Sequence, residues 1–291
     1  MFSGYITALI TPFRDGRICE REYTQLIDWQ IRQGISGFVP CGTTGESPTL
    51  SHDEHHQIVT LCVRAAKGRV PVIAGTGSNS TEEAVALTRH AEKAGADAAL
   101  LVTPYYNKPT QEGLYLHFKA VAAATRLPII IYNIPGRSVV DMSIATMARL
   151  AQIRNIVGVK DATCDLVRPL RTRLALGPKF CMLSGEDATI TAFLAQGGHG
   201  CISVTSNVAP KLCAQLFAAW RNGDLKKMAA LRDRLLPLHD ALFAETSPAP
   251  VKYAVSLLGR CASDCRLPLA PLQDATKTRI RAAMRSAGLL K

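Results

Sequence analysis

The sequence predicts an α/β fold: a (β/α)8 TIM barrel carrying a C-terminal helical appendage. Three observations predict it. Short apolar runs recur eight times before residue 205, at intervals of roughly 25 to 35 residues. The runs do not alternate with polar residues, which suits parallel strands buried on both faces. The segments between them carry helical periodicity, and several open on a capping signal. Strand and helix alternating eight times is the pattern of that barrel.

The runs lie at 5–10, 37–41, 70–74, 98–103, 129–132, 156–160, 180–184 and 200–204. Helical spacing is clearest at 20–34, 51–67, 81–94, 111–125 and 143–151. Ser51-His52-Asp53-Glu54 and Ser80-Thr81-Glu82-Glu83 are capping signals that start two of these helices. After residue 205 no convincing strand follows. The tail reads as three or four helices, with breaks expected at Pro237, Pro248, Pro250, the stretch 261–271 and Gly288. Residues 1–222 are assigned to the barrel and its active site, and residues 223–291 to a helical segment packed on it.

Composition narrows the function. Hydrophobic residues make up 47% and charged residues 20%, which argues against disorder. No apolar stretch approaches the roughly 20 residues that span a bilayer. The N-terminus is apolar but has no basic leader and no small-residue cleavage site, so a cytoplasmic location is expected. The nine cysteines read as free thiols in a reducing compartment. Cys261 and Cys265 lack a matching second pair for zinc. The net charge is +11, and the segment 206–291 carries 14 basic against 6 acidic residues. No basic run with interleaved aromatics accompanies that excess. A solvated basic surface is therefore expected, with no nucleic-acid or membrane partner.

Chemistry is expected where strands end. Lys160 closes the run Ile156-Val157-Gly158-Val159-Lys160, ahead of Asp161. An ammonium is costly to bury, and loss of water favours the free, nucleophilic amine. The plain alternative is an ion pair with Asp161 or Glu186. Tyr132 ends the fifth run, where a core tyrosine is the alternative. Thr43 and Thr44 follow the second run between Gly42 and Gly45, where a turn presents amides to an anion or is simply a glycine turn. Tyr105 and Tyr106 follow the fourth run, as packing or as an oligomer contact. Gly185 follows the seventh run, and Ile202 lies in the eighth. An amine, a phenol and a hydroxyl at barrel strand ends suggest Schiff-base chemistry on a keto substrate.

Two other patterns carry less. His52 and His56 are spaced like helical zinc ligands, but no third ligand is evident and no metal is expected. Gly75-Thr76-Gly77-Ser78-Asn79-Ser80 lacks the third glycine of a dinucleotide fingerprint.

Taken together, Gly42-Thr43-Thr44-Gly45-Glu46, Tyr132-Asn133-Ile134-Pro135-Gly136-Arg137 and Val159-Lys160-Asp161-Ala162 resemble the signatures of the pyruvate-dependent class I aldolases of the dihydrodipicolinate synthase family. The resemblance runs over essentially the whole chain. It implies condensation of pyruvate with L-aspartate 4-semialdehyde through a lysine Schiff base, in lysine and diaminopimelate biosynthesis. It implies that Lys160 forms the imine, that Tyr132 moves protons, and that Thr44 links Tyr132 to a Tyr106 reaching in from a neighbouring subunit. Thr43 and Thr44 amides would bind the pyruvate carboxylate, Arg137 the second carboxylate, and Gly185 and Ile202 would complete the site. A homotetramer, built as a dimer of dimers, is implied, with no cofactor. L-Lysine as an inhibitor is implied too, bound by Ser47, Leu50, His52, His55, Asn79, Glu83 and Tyr105. Sugar-acid aldolases resembling sialic acid lyase share the lysine and tyrosine. Arg137 favours the carboxylate-bearing aldehyde, since a bidentate guanidinium suits a carboxylate better than a polyol.

Overall fold

The computed structural model describes residues 1–291. Eight strands alternate with helices along the chain: β1 Gly4–Ala8, β2 Gly37–Val39, β3 Ile73–Gly75, β4 Ala98–Val102, β5 Ile129–Asn133, β6 Ile156–Asp161, β7 Cys181–Ser184 and β8 Gly200–Ser203. Each falls on an expected run. β1 and β5 are buried along their whole length, as strands covered on both faces must be. A hairpin of two-residue strands, Phe13–Arg14 and Arg17–Ile18, adds a feature the sequence reading lacked.

The chain divides into two compact units. The first contains residues 1–3 and 71–202. In it β3 to β8 lie side by side in chain order, each parallel to the next. Ile129, Ile130, Ile131, Leu101 and Phe118 are fully buried in this unit. Gly158 on β6 lets β7 come close. A Cβ there would lie 2.4 Å from the Cys181 carbonyl oxygen, nearer than any side chain tolerates. The helices Thr81–Ala94, Gln111–Ala123, Ile144–Leu150 and Arg168–Leu176 belong to this unit. Ser80, Thr110 and Ser143 cap the first three through their hydroxyl oxygens.

The second unit contains residues 4–70 and 203–291. β1 runs parallel to β2, pairing Thr7 with Phe38. The helix His52–Ala66 opens on the expected capping box: Ser51 Oγ accepts the Glu54 amide at 3.2 Å, and Glu54 Oε2 accepts the Ser51 amide at 2.9 Å. The tail supplies four helices, Pro210–Arg221, Leu225–Leu242, Ala249–Leu257 and Asp274–Ser286. Pro237 does not break its helix, contrary to expectation. Met228, Leu231 and Leu235 before it, and Leu238 and Leu242 after it, are all buried. That packing outweighs the backbone hydrogen bond the proline removes. All nine cysteines are free, and no helix is long and apolar enough to cross a membrane.

Candidate active site

In the first unit, β5 and β6 pair Tyr132 with Lys160 at their carboxyl ends. In-register residues on neighbouring parallel strands point to the same side. The Lys160 Nζ consequently lies 3.9 Å from the centroid of the Tyr132 ring. Both residues are buried, Lys160 at 7% and Tyr132 at 6% exposure. The amine faces an aromatic surface that is a weak substitute for water. Neither alternative ion pair for Lys160 forms: no carboxylate lies within salt-bridge distance of its Nζ.

The groups around Lys160 explain its placement. A Cβ on Gly185 would lie 3.2 Å from Lys160 Cε and 2.7 Å from the Ala162 Cβ, so only glycine leaves room for the side chain. The Gly185 amide donates to the Asp161 carbonyl, which pins the end of β7 to that of β6. Asp161 points away from Lys160 by strand alternation. Its Oδ1 accepts the Thr163 amide at 2.9 Å and the Thr163 hydroxyl at 2.7 Å. Burial raises the Asp161 carboxyl above its ordinary value, against the opposing pull of Thr163 and Arg168. Burial, and then the charge of Asp187, likewise raise Glu186, while Lys160 acts in the opposite direction. Ile202 on β8 is buried.

Arg137 sits on the short helix Pro135–Ser138 and is exposed. Ser138 anchors this helix. Its hydroxyl donates to the Ile134 and Val140 carbonyls and accepts from the Thr103 hydroxyl at 3.1 Å. Tyr106 is 90% exposed and Tyr105 36%. Burial, followed by the nearby Glu83 carboxylate, raises the Tyr105 phenol. Glu83 accepts a hydrogen bond from the Ser78 hydroxyl. The Asn79 carbonyl accepts from Asn107 Nδ2 at 2.8 Å.

In the second unit, Thr43–Gly45 forms a single 3-10 turn, with Thr44 buried. The Thr11 hydroxyl donates to the Gly45 carbonyl at 2.7 Å. Glu46 follows in left-handed conformation, φ 57°. Its Oε1 accepts from Lys252 Nζ at 2.7 Å, and its Oε2 from the Arg266 amide at 2.9 Å. Lys252 is fully buried and also donates to the Thr11 carbonyl at 2.9 Å. Ser47 and Leu50 are partly exposed and His52 is exposed. His55 is buried, its carbonyl near the Cys41 thiol. Lys252, Arg266, Asp141 and Arg168 were absent from the sequence reading.

The model of the dihydrodipicolinate synthetase family matches residues 1–287. The chain belongs to that family. A 4-hydroxy-tetrahydrodipicolinate synthase of Rhodospirillum centenum is 69% identical over 290 residues, covering 100% of both chains. A solved dihydrodipicolinate synthase from Acinetobacter baumannii, chloride-inhibited and complexed with pyruvate, superposes with a TM-score of 0.97 at 46% identity, covering 100% of both chains. One from Cyanidioschyzon merolae with lysine bound gives 0.96 at 38% identity, covering 99% of both. Membership of the dihydrodipicolinate synthetase family carries the fold with it, and the chain is the (β/α)8 barrel its sequence predicts.

Proposed function

We propose that this member of the dihydrodipicolinate synthetase family is a 4-hydroxy-tetrahydrodipicolinate synthase. It is a lyase that condenses pyruvate with L-aspartate 4-semialdehyde in lysine and diaminopimelate biosynthesis. One observation carries the reading: a buried Lys160 in no salt bridge, with its amine 3.9 Å from the Tyr132 ring, in a chain 69% identical to an enzyme of that name.

Lys160 Nζ attacks the pyruvate carbonyl carbon, and water leaves to give a protonated imine. The imine draws electrons from the adjacent methyl group, which loses a proton to form an enamine. The enamine carbon then bonds to the aldehyde carbon. The amine of the former semialdehyde displaces Lys160 as the ring closes. Tyr132 carries the protons of these steps, with Thr44 and a Tyr106 from another copy completing its relay. Thr43 and Thr44 amides take the pyruvate carboxylate. Arg137, exposed on an anchored helix, takes the second carboxylate through a bidentate contact. Gly185 and Ile202 shape the pyruvate position. No cofactor enters this sequence.

The expected homotetramer draws support from two exposed apolar features. One is the Tyr105–Tyr106 pair. The other is Leu166, Val167, Leu170 and Leu174 on and before the helix Arg168–Leu176. L-Lysine is proposed as an inhibitor through Ser47, Leu50, His52, His55, Asn79, Glu83 and Tyr105, since Glu83 offers a carboxylate to an ammonium. Inhibition that survives Glu83→Ala undiminished would remove that assignment. A cytoplasmic location, and a division into barrel 1–222 and helical segment 223–291, are part of the same reading.

The deciding experiment traps the imine. Pyruvate and borohydride should add one reduced pyruvate to the wild type and none to Lys160→Ala, read by intact mass. An adduct of the same yield on Lys160→Ala refutes the assignment.

A further inference from the structure

The segment carrying Arg137 leaves β5 at Asn133 and returns at Asp141 and Met142. Asn133 is fully buried and holds that return. Its Nδ2 donates to Asp141 Oδ1 at 2.7 Å, and its Oδ1 accepts the Met142 amide at 3.0 Å. The second Asp141 oxygen is taken by Arg168 Nη1 at 3.0 Å. Arg168 Nη2 donates to the Met142 carbonyl. The Nε of the same guanidinium lies 3.6 Å from Asp161 Oδ2, at the end of β6 beside Lys160. Arg168 is 9% exposed.

One buried cation thus ties the base of the Arg137 segment to the strand that carries Lys160. Without it, the half-exposed Asp141 carboxylate would face the buried Asp161 carboxylate with no cation between them, and like charges repel. The two sides would not suffer equally. Asp161 keeps both bonds from Thr163, and β6 keeps its ladders to β5 and β7. The Arg137 segment would keep Asn133, Ser138 and the Gln111 bond to the Asp141 carbonyl, but lose the tie that Arg168 makes to β6.

We propose that Arg168 is a positioning residue for the second substrate: it fixes the Arg137 segment against β6 and so sets the affinity for the carboxylate-bearing aldehyde, leaving pyruvate capture at Lys160 intact. The inference rests on the proposed function. Its place is second-substrate selection, and Arg168 touches neither substrate.

The test compares Arg168→Met with wild type in two assays. Half-saturation of borohydride trapping by pyruvate should stay within about twofold, while KM for aspartate semialdehyde should rise about tenfold or more, as small displacements of a clamp do. Asp141→Asn combined with Arg168→Met removes one of the two opposed carboxylates and should recover part of the lost affinity. It also serves as the readable variant if Arg168→Met fails to fold. A purely structural role would lower the yield of active protein without moving either half-saturation value. A wild-type KM for the semialdehyde in Arg168→Met, or an equal rise in half-saturating pyruvate, overturns this inference alone. A wild type that traps no pyruvate overturns the proposed function and this inference with it.

Discussion

Val139 adopts φ 64° and ψ −22° while 66% exposed. A β-branched side chain in left-handed conformation crowds its own backbone at a cost of about 1–3 kcal/mol. The position survives because the Arg137 segment is closed by Asn133 and anchored by Ser138 on either side. Asparagine tolerates left-handed backbone and, at this exposure, gives up little packing. Val139→Asn should therefore raise stability by about 1 kcal/mol, read as a higher urea midpoint at unchanged slope. A lowered midpoint would show that the valine side chain supports the segment by contact. Residues differed in how visible they were before the fold was known. Lys160 was legible because it closes an apolar run. Lys252 stands between Val251 and Tyr253 with no such strand-end signal, and its partner Glu46 lies 206 positions away. Arg168 looks like its neighbours Arg171 and Arg173. Its burial and its contacts with Asp141, 27 positions earlier, with Met142 and with Asp161 mark it out.

At the scale of elements, the eight strands could be read because burial on both faces leaves an unbroken apolar run. The hairpin could not, since its strands have two residues each and only Asp15-Gly16 marks the turn. The capping box at Ser51 was legible as a start signal, but its second duty was not. Glu54 also accepts from Arg266 Nη1 at 2.7 Å, and Arg266 donates to the Thr49 carbonyl at 2.8 Å. This joins the helix His52–Ala66 to the loop before the last helix. The Arg266 hydrogen bonds hold the Glu54 carboxyl down at about 2. A carboxyl lowered by folding stabilises above its unfolded value, near 4.5, and loses that contribution as pH falls through the folded value. Wild-type stability should thus decline between pH 5 and 2, and Glu54→Gln should flatten part of the decline. The pair is partly exposed, so the flattened share is on the order of 1 kcal/mol. Urea midpoints across that range check it, and parallel curves for the two proteins would assign the acid loss elsewhere.

At the scale of the whole molecule, charge and apolar surface oppose each other. Eleven net positive charges discourage copies from meeting. Yet Leu166, Val167, Leu170 and Leu174 expose 37%, 49%, 39% and 78% of their surfaces along one stretch. Positions 167, 170 and 174 follow the three- and four-residue spacing of one helix face. A contact between two copies of this stripe would bury it twice, worth several kcal/mol at about 25 cal/mol per Å². The charge repulsion is spread over the surface and screened beyond about 8 Å at physiological salt, so the apolar term wins. The Tyr105–Tyr106 pair lies on another segment, after β4, and a dimer of dimers needs two contacts. Leu174→Asp should accordingly disrupt one contact and spare the other, and a side chain this exposed adds nothing to the core of its own subunit. Sedimentation velocity at micromolar concentration should show a tetramer for wild type and a dimer for Leu174→Asp, with pyruvate trapping retained. A Leu174→Asp tetramer, or a wild type no larger than the mutant, would separate the stripe from assembly and leave its exposure to be explained by another partner.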